Sequence, residues 1–125
     1  LAVQAIDIII EEKLVENVRK LEPLFMGGLK KFEDMEFIGE ARGIGLMGAL
    51  EMVQDKKTKK PFDGHMNMGE RVANKAIEKG LICRPLGPSI VLCPPFITTP
   101  EQIDFMYTTL EDTLKEVFND IKVSN

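Results

Sequence analysis

The spacing of glycines between residues 37 and 53 restricts the fold of this chain more than any other feature. Gly39, Gly43, Gly45 and Gly48 all fall inside it. A glycine within a helix costs about 1 kcal/mol relative to alanine, so this cluster excludes a continuous helix there. The apolar residues that run on to Val53 suit extended chain. The expectation is a pair of strands, 37–42 and 46–53, around a Gly43-Ile44-Gly45 turn.

Helical periodicity flanks that hairpin. Ala2, Ile6, Ile9 and Ile10 fall at helical spacing, which predicts an amphipathic helix over residues 1–12. A second helical pattern follows with Leu14, Val15, Val18, Leu21, Phe25, Leu29 and Phe32. Pro23 and the pair Gly27-Gly28 predict a kink or break within it. Residues 54–67 are polar and lysine-rich and read as an exposed loop. A helix over 68–79 sets Val72, Ala73, Ala76 and Ile77 on one face, and Gly80 stops it. Short strands at 81–84 and 89–92 are separated by Pro85-Leu86-Gly87-Pro88. Thr99 as N-cap, Pro100 in the first helical position and Gln102 at N3 make a capping box. Ile103, Met106, Leu110, Leu114, Val117 and Ile121 then line one face of a long terminal helix.

This order predicts an α/β (α+β) domain, a small, mostly antiparallel sheet with helices packed on it. The length of 125 residues suits one domain. A net charge of −4 and a pI of about 5.1 speak against a nucleic-acid partner, which calls for a basic face. No apolar run reaches the ~20 residues of a membrane span, and no basic stretch precedes Asp7 as a signal peptide requires. With two cysteines and no disulfide framework, a reducing, cytoplasmic setting is expected. The chain opens on Leu1, already inside a helical pattern, so a piece of something longer is expected.

Several residue patterns carry possible chemistry. Gly43-Ile44-Gly45-Leu46-Met47-Gly48 spells G-x-G-x-x-G. A dinucleotide site needs those glycines between a strand and a helix, and here a strand follows, so a tight turn with close packing is the better reading. Lys56, Lys57, Lys59 and Lys60 suit a solvated loop better than a phosphate site. His65, the single histidine, has no partners at metal-ligand spacing and reads as a surface residue. Cys83 and Cys93 read as buried structural thiols. Arg42 and Arg84 each sit among apolar strand residues, where a guanidinium must find an anion or reach water. A structural ion pair satisfies this, and so does a clamp on a ligand carboxylate. The structural role is preferred for Arg42; for Arg84 both stand. There is no nucleophile elbow, no Ser/His/Asp set and no carboxylate pair in a catalytic context.

Four stretches, in order, carry a family likeness: residues 39–51 (GEARGIGLMGALE), 55–62 (DKKTKKPF), 80–87 (GLICRPLG) and 91–97 (VLCPPFI). Together they resemble the C-terminal part of class III (subgroup II) pyridoxal-phosphate aminotransferases, closest to the ω-amino acid and amine:pyruvate transaminases. The likeness implies the small domain of a fold-type I enzyme, with residues 1–33 as a helical segment leading into it and 34–125 as the domain itself. It implies that the pyridoxal phosphate, its Schiff-base lysine and its phosphate cup belong to a large domain outside this chain. No catalytic or cofactor-binding residue is expected here, and no metal.

The same resemblance assigns Arg84, just before Pro-x-Gly, to substrate binding. An arginine in that place pairs with the carboxylate of an amino or keto acid and swings away for an apolar amine. Ornithine- and GABA-type members carry their arginine where this chain has Val91. The implied activity moves an amino group from an amine or ω-amino acid to a keto acid such as pyruvate, in a homodimer, with this region supplying lid and carboxylate recognition. The alternative is a stand-alone, non-catalytic α/β ligand-binding or regulatory domain.

Overall fold

The computed structural model describes residues 1–124. Its elements run α1 (Ala2–Glu11), α2 (Leu14–Lys31), β1 (Ile38–Ile44), β2 (Met47–Met52), α3 (Met68–Glu78), β3 (Arg84–Leu86), β4 (Ser89–Leu92) and α4 (Pro100–Ser124). The strands form one antiparallel sheet in the order β1-β2-β4-β3. Helices cover one face. Leu21, Phe25 and Leu29 of α2, Val72 and Ala76 of α3, and Ile103, Leu110 and Leu114 of α4 share a single core with Ala41, Leu50 and Ile90 of the sheet. The expected fold class holds.

The hairpin glycines are where helix α2 meets the sheet, at Gly48, and where the two strands crowd each other, at Gly43. A Cβ on Gly48 would lie 2.7 Å from a Leu29 methyl and 3.0 Å from the Phe25 ring. One on Gly43 would lie 2.3 Å from the Met47 carbonyl oxygen. Only hydrogen in place of a side chain lets the helix sit directly on the strands. The turn itself falls two residues later than expected. Ile44 pairs with Met47, so the loop is Gly45-Leu46, with Gly45 at φ +59° and Leu46 buried. A glycine of positive φ in the first loop position suits the twist of the flanking strands. At the other end of β1 the register slips between Ile38 and Glu40. This bulge keeps Ile38 on the core side opposite Met52.

Helix α2 runs unbroken through Pro23 and both glycines, against the expected break. Pro23 is exposed, so water can serve the carbonyl its missing N–H leaves free. Gly28 opens a slot for Tyr107 of α4, whose ring lies 2.4 Å from where a Cβ would be and whose hydroxyl donates to the Phe25 carbonyl. Helix α1 forms as expected but buries none of its residues.

Helix α3 ends in a Schellman motif: Leu81 N–H donates to Ala76 O, Gly80 N–H to Ile77 O, and Gly80 has φ +85°. Ile77, expected on its buried face, is exposed. At the start of α4 the capping box is in place, with Thr99 N–H donating to Gln102 Oε1 (3.0 Å) and Gln102 N–H to Thr99 Oγ1 (3.3 Å).

Candidate functional site

In an antiparallel sheet, residues directly opposite share a face. The register therefore sorts every side chain of the sheet into rows. Ala41, Leu50, Ile90 and Pro85 form a row facing the helices. The adjacent row, Arg42–Ala49–Val91–Arg84, crosses all four strands on the face no helix covers. Beside it on the same face runs Glu40–Glu51–Ser89–Leu86, in which Ser89 is buried. Both arginines singled out in the sequence thus end on one surface, at opposite edges of the sheet.

Their surroundings differ. Arg42 Nη1 donates to Glu40 Oε2 at 3.1 Å and to Glu51 Oε2 at 2.9 Å, an ion-paired triad at the sheet surface. These contacts, the Glu51 hydrogen bond foremost, push the guanidinium pKa up. The structural role expected of Arg42 is the one it fills. Arg84 is exposed and has neither ion pair nor hydrogen bond from its side chain among the described residues.

The backbone that carries Arg84 is nevertheless fixed. The predicted strand at 81–84 begins only at Arg84, and Pro85 and Leu86, expected in the turn, complete it. Leu81 and Cys83 leave the sheet because they bury against the core as the chain comes out of α3. Pro85, with no N–H to offer a ladder, sits on an edge strand, where that loss is tolerated. The loop is Gly87-Pro88, with Gly87 at φ +57°. Gly69 of α3 presses against it, since a Cβ there would lie 2.4 Å from Gly87 O. So the strand is held, and the freedom of Arg84 is that of its side chain.

The other candidates resolve as follows. His65 lies exposed in a short 3₁₀ turn (Gly64–Met66), and no group of His, Cys, Asp or Glu suited to a metal occurs among the described residues. Cys83 is buried, and burial pushes its thiol pKa up; Cys93 is exposed, contrary to expectation, because it follows the last paired residue of β4. The lysine loop is only half free. Lys59 donates to the Gly39 carbonyl and Lys56 to those of Glu33 and Met35. With Lys30 on the Ala41 carbonyl and Glu33 accepting from Ala41 N–H at 2.8 Å, these side chains occupy polar groups on the outer edge of β1. An edge so blocked cannot recruit another strand. No single-residue signal marked Glu33, Glu40 or Glu51 for these tasks; only the register and the packing of helix on strand bring them into place.

Three cavities lie away from Arg84. The largest, about 850 Å³, opens between α2 and α4 beside Gly28, Lys31, Asp104 and Tyr107. Arg84 lines none of them, so on this chain it faces an open surface.

Residues 1–114 match the family model described as aminotransferase class-III. The crystal structure of a PMP-bound aminotransferase from Vibrio fluvialis superposes with a TM-score of 0.92 at 53% identity, over 94% of this chain and 26% of that one. An omega-aminotransferase from Paracoccus denitrificans gives 0.93 at 55%, over 96% and 27%. An adenosylmethionine-8-amino-7-oxononanoate aminotransferase from Methanocaldococcus jannaschii is 36% identical over 92% of this chain and 25% of its own length. The chain therefore spans about a quarter of the relatives it matches. Among the described residues no helix is long and apolar enough to cross a membrane.

Proposed function

We propose, from the premise that this chain belongs to the class III aminotransferase family, that its open sheet face is a wall of the active site in a longer pyridoxal-phosphate enzyme. Arg84 on that wall recognises the carboxylate of an amino or keto acid. The observation that carries this reading is the contrast between two arginines in one row: Arg42 has two carboxylates, while Arg84 has none and is held on a rigid turn. An exposed guanidinium with a fixed backbone and an uncommitted side chain is suited to bidentate capture of a carboxylate. It can also leave when the substrate is apolar, so one pocket accepts an amine in one half-reaction and a keto acid such as pyruvate in the other.

Lys30, Lys56 and Lys59 are engaged with backbone carbonyls. We assign the pyridoxal phosphate and its lysine to the remainder of the polypeptide, and residues 34–125 to a small domain that recognises substrate and closes over it. Two free thiols agree with a cytoplasmic enzyme, and the homodimer remains part of the proposal. Family membership favours this reading over a stand-alone ligand-binding domain.

In the holoenzyme, Arg84→Ala is expected to raise the KM for pyruvate or alanine at least ~10-fold, the loss of a charge-assisted pair. Turnover of a purely apolar amine in its own half-reaction should change less than about twofold. Equal loss for both substrates would remove Arg84 from carboxylate recognition.

A further inference from the structure

Arg84 can grip a carboxylate from a fixed point only if the short strand that carries it stays in place. That strand has little of its own to hold it. β3 is three residues long, lies at an edge of the sheet and pairs with β4 alone. Its middle residue is Pro85, which brings no N–H to the ladder. Beyond it, Leu86, Gly87 and Pro88 are exposed.

Two contacts from outside the hairpin hold it. The Met52 N–H, at the end of β2, donates to the Pro88 carbonyl at 3.1 Å. Gly69, buried in the first turn of α3, lies against the other side. A Cβ there would stand 2.4 Å from Gly87 O, 3.2 Å from Ser89 O and 3.2 Å from Pro85 Cβ. The space a side chain would need is thus taken by β3, the loop and the start of β4 together. Met68, Val72, Ala73 and Ala76 fix α3 in the core, so the helix is the unyielding partner. Ser89 is held by its pairing with Glu51, and Pro88 by Met52. Bulk added at residue 69 therefore displaces Pro85 to Gly87, the segment that adjoins Arg84.

We propose that Gly69 is a positioning residue for Arg84: having no side chain, it seats β3 at the height from which the guanidinium meets a substrate carboxylate. This role rests on the reading of Arg84 as the carboxylate clamp. It gives α3 a task beyond packing, since its first turn is the floor under the hairpin. Bidentate pairing of guanidinium and carboxylate depends on geometry, and a displacement of about 1 Å is enough to cost much of such an interaction.

The test is a double-mutant cycle in the holoenzyme, read as KM against kcat. Gly69→Ala should raise the KM for pyruvate about fivefold. The kcat, and the half-reaction of a purely apolar amine, should stay within about twofold. In the Arg84→Ala background the same substitution should change the pyruvate KM by less than about 1.5-fold, because the group it positions is gone. Gly80→Ala strains a φ of +85° at the other end of α3 and meets nothing within 4 Å. It weakens the helix without touching the hairpin and should leave the pyruvate KM unchanged. Pro85→Gly comes from the hairpin side and adds no bulk. By freeing the backbone beside Arg84 it should raise the pyruvate KM about threefold, again sparing the amine. Equal losses for pyruvate and amine in Gly69→Ala, an effect that persists without Arg84, or a matching KM rise in Gly80→Ala overturns the positioning role. If Gly69→Ala does not fold, Pro85→Gly decides, and an unchanged pyruvate KM there overturns it too. A KM effect in Arg84→Ala with none in Gly69→Ala removes the positioning role alone. If Arg84→Ala itself leaves the pyruvate KM unchanged, the clamp reading fails and the positioning role falls with it.

Discussion

The two hairpins of this sheet are built to one turn plan and given opposite surroundings. Each closes with a two-residue loop that starts on a glycine of positive φ, Gly45 in the first and Gly87 in the second. The first is clamped on its inner face, its outer edge and its turn. Its inner face lies on Phe25 and Leu29, its outer edge is occupied by Glu33, Lys30 and Lys59, and the Gly45 N–H donates to Glu22 Oε1 at 2.9 Å. Its arginine is committed to two carboxylates. The second hairpin touches α3 through Gly69 at the turn and leaves Leu86, Gly87, Pro88 and Arg84 in the open. One hairpin anchors the sheet and the other presents a side chain. In a domain that must grip a substrate, the rigid half lets the presented arginine act from a fixed point.

This contrast has a large consequence for stability. In the first hairpin, Gly43→Ala sets a Cβ against backbone, 2.3 Å from Met47 O and 2.9 Å from the Gly48 Cα. No side-chain rotation relieves that contact, so a loss of about 3 kcal/mol in urea unfolding is expected. In the second, Gly87→Ala meets nothing within 4 Å and suffers only its φ of +57°. About 1 kcal/mol is expected there. Equal losses would mean that the close approach of the β2 backbone to Gly43 does not set the two hairpins apart.

The cysteines flanking the second hairpin sharpen the same point. Cys93 is exposed, whereas Cys83 is buried with its thiol pKa pushed up by desolvation. Titration of the native chain with a thiol reagent at pH 8 should show one cysteine reacting at once. The other should lag by about 100-fold or more, because its thiolate is both scarce and covered. Cys93→Ser should remove the fast phase alone. Two fast phases would show that the chain before β3 is as open as the loop after β4.

Much of this arrangement is legible in the residues themselves. The capping box at Thr99, the stop at Gly80 and the exclusion of helix by the hairpin glycines are local signals, each fixed by contacts a few residues away. The same local rule misleads at Gly27-Gly28, where it predicts a break. Gly28 is there for the ring of Tyr107, far along the chain, and no window around residue 28 contains that ring. Strand β3 begins late for a similar reason, since burial of Leu81 and Cys83 against the helices outweighs their strand propensity. In the candidate site, Arg84 stands out in the sequence as a charge beside a Pro-Leu-Gly-Pro turn. Glu51 does not, because its tie to Arg42 and its place on the row next to Arg84 exist only once four strands are in register.

A smaller effect separates the two edges of the sheet by pH. Glu33 accepts from the Ala41 N–H and pairs with Lys30 at 3.0 Å, and these two contacts, the backbone hydrogen bond first, hold its carboxyl below the ordinary value of 4.5. A carboxylate whose pKa is lowered on folding stabilises the folded state above its unfolded pKa. It loses that contribution as pH falls through the folded value. Clamping of the β1 edge should therefore be complete at pH 6 and weaken below about pH 4.5. The edge strand β3 has no such carboxylate on its backbone among the described residues. Hydrogen exchange of the Ala41 amide, compared with that of Val91 in the sheet interior, reads this directly. Between pH 6 and pH 3.5, after correction for the intrinsic exchange rate, Ala41 should lose protection relative to Val91. In Glu33→Gln that pH dependence should vanish, because an amide oxygen can still accept the hydrogen bond but has no proton to gain in this range. If Ala41 loses protection with pH equally in both proteins, the edge is held by the lysines on its carbonyls and not by the carboxylate on its N–H.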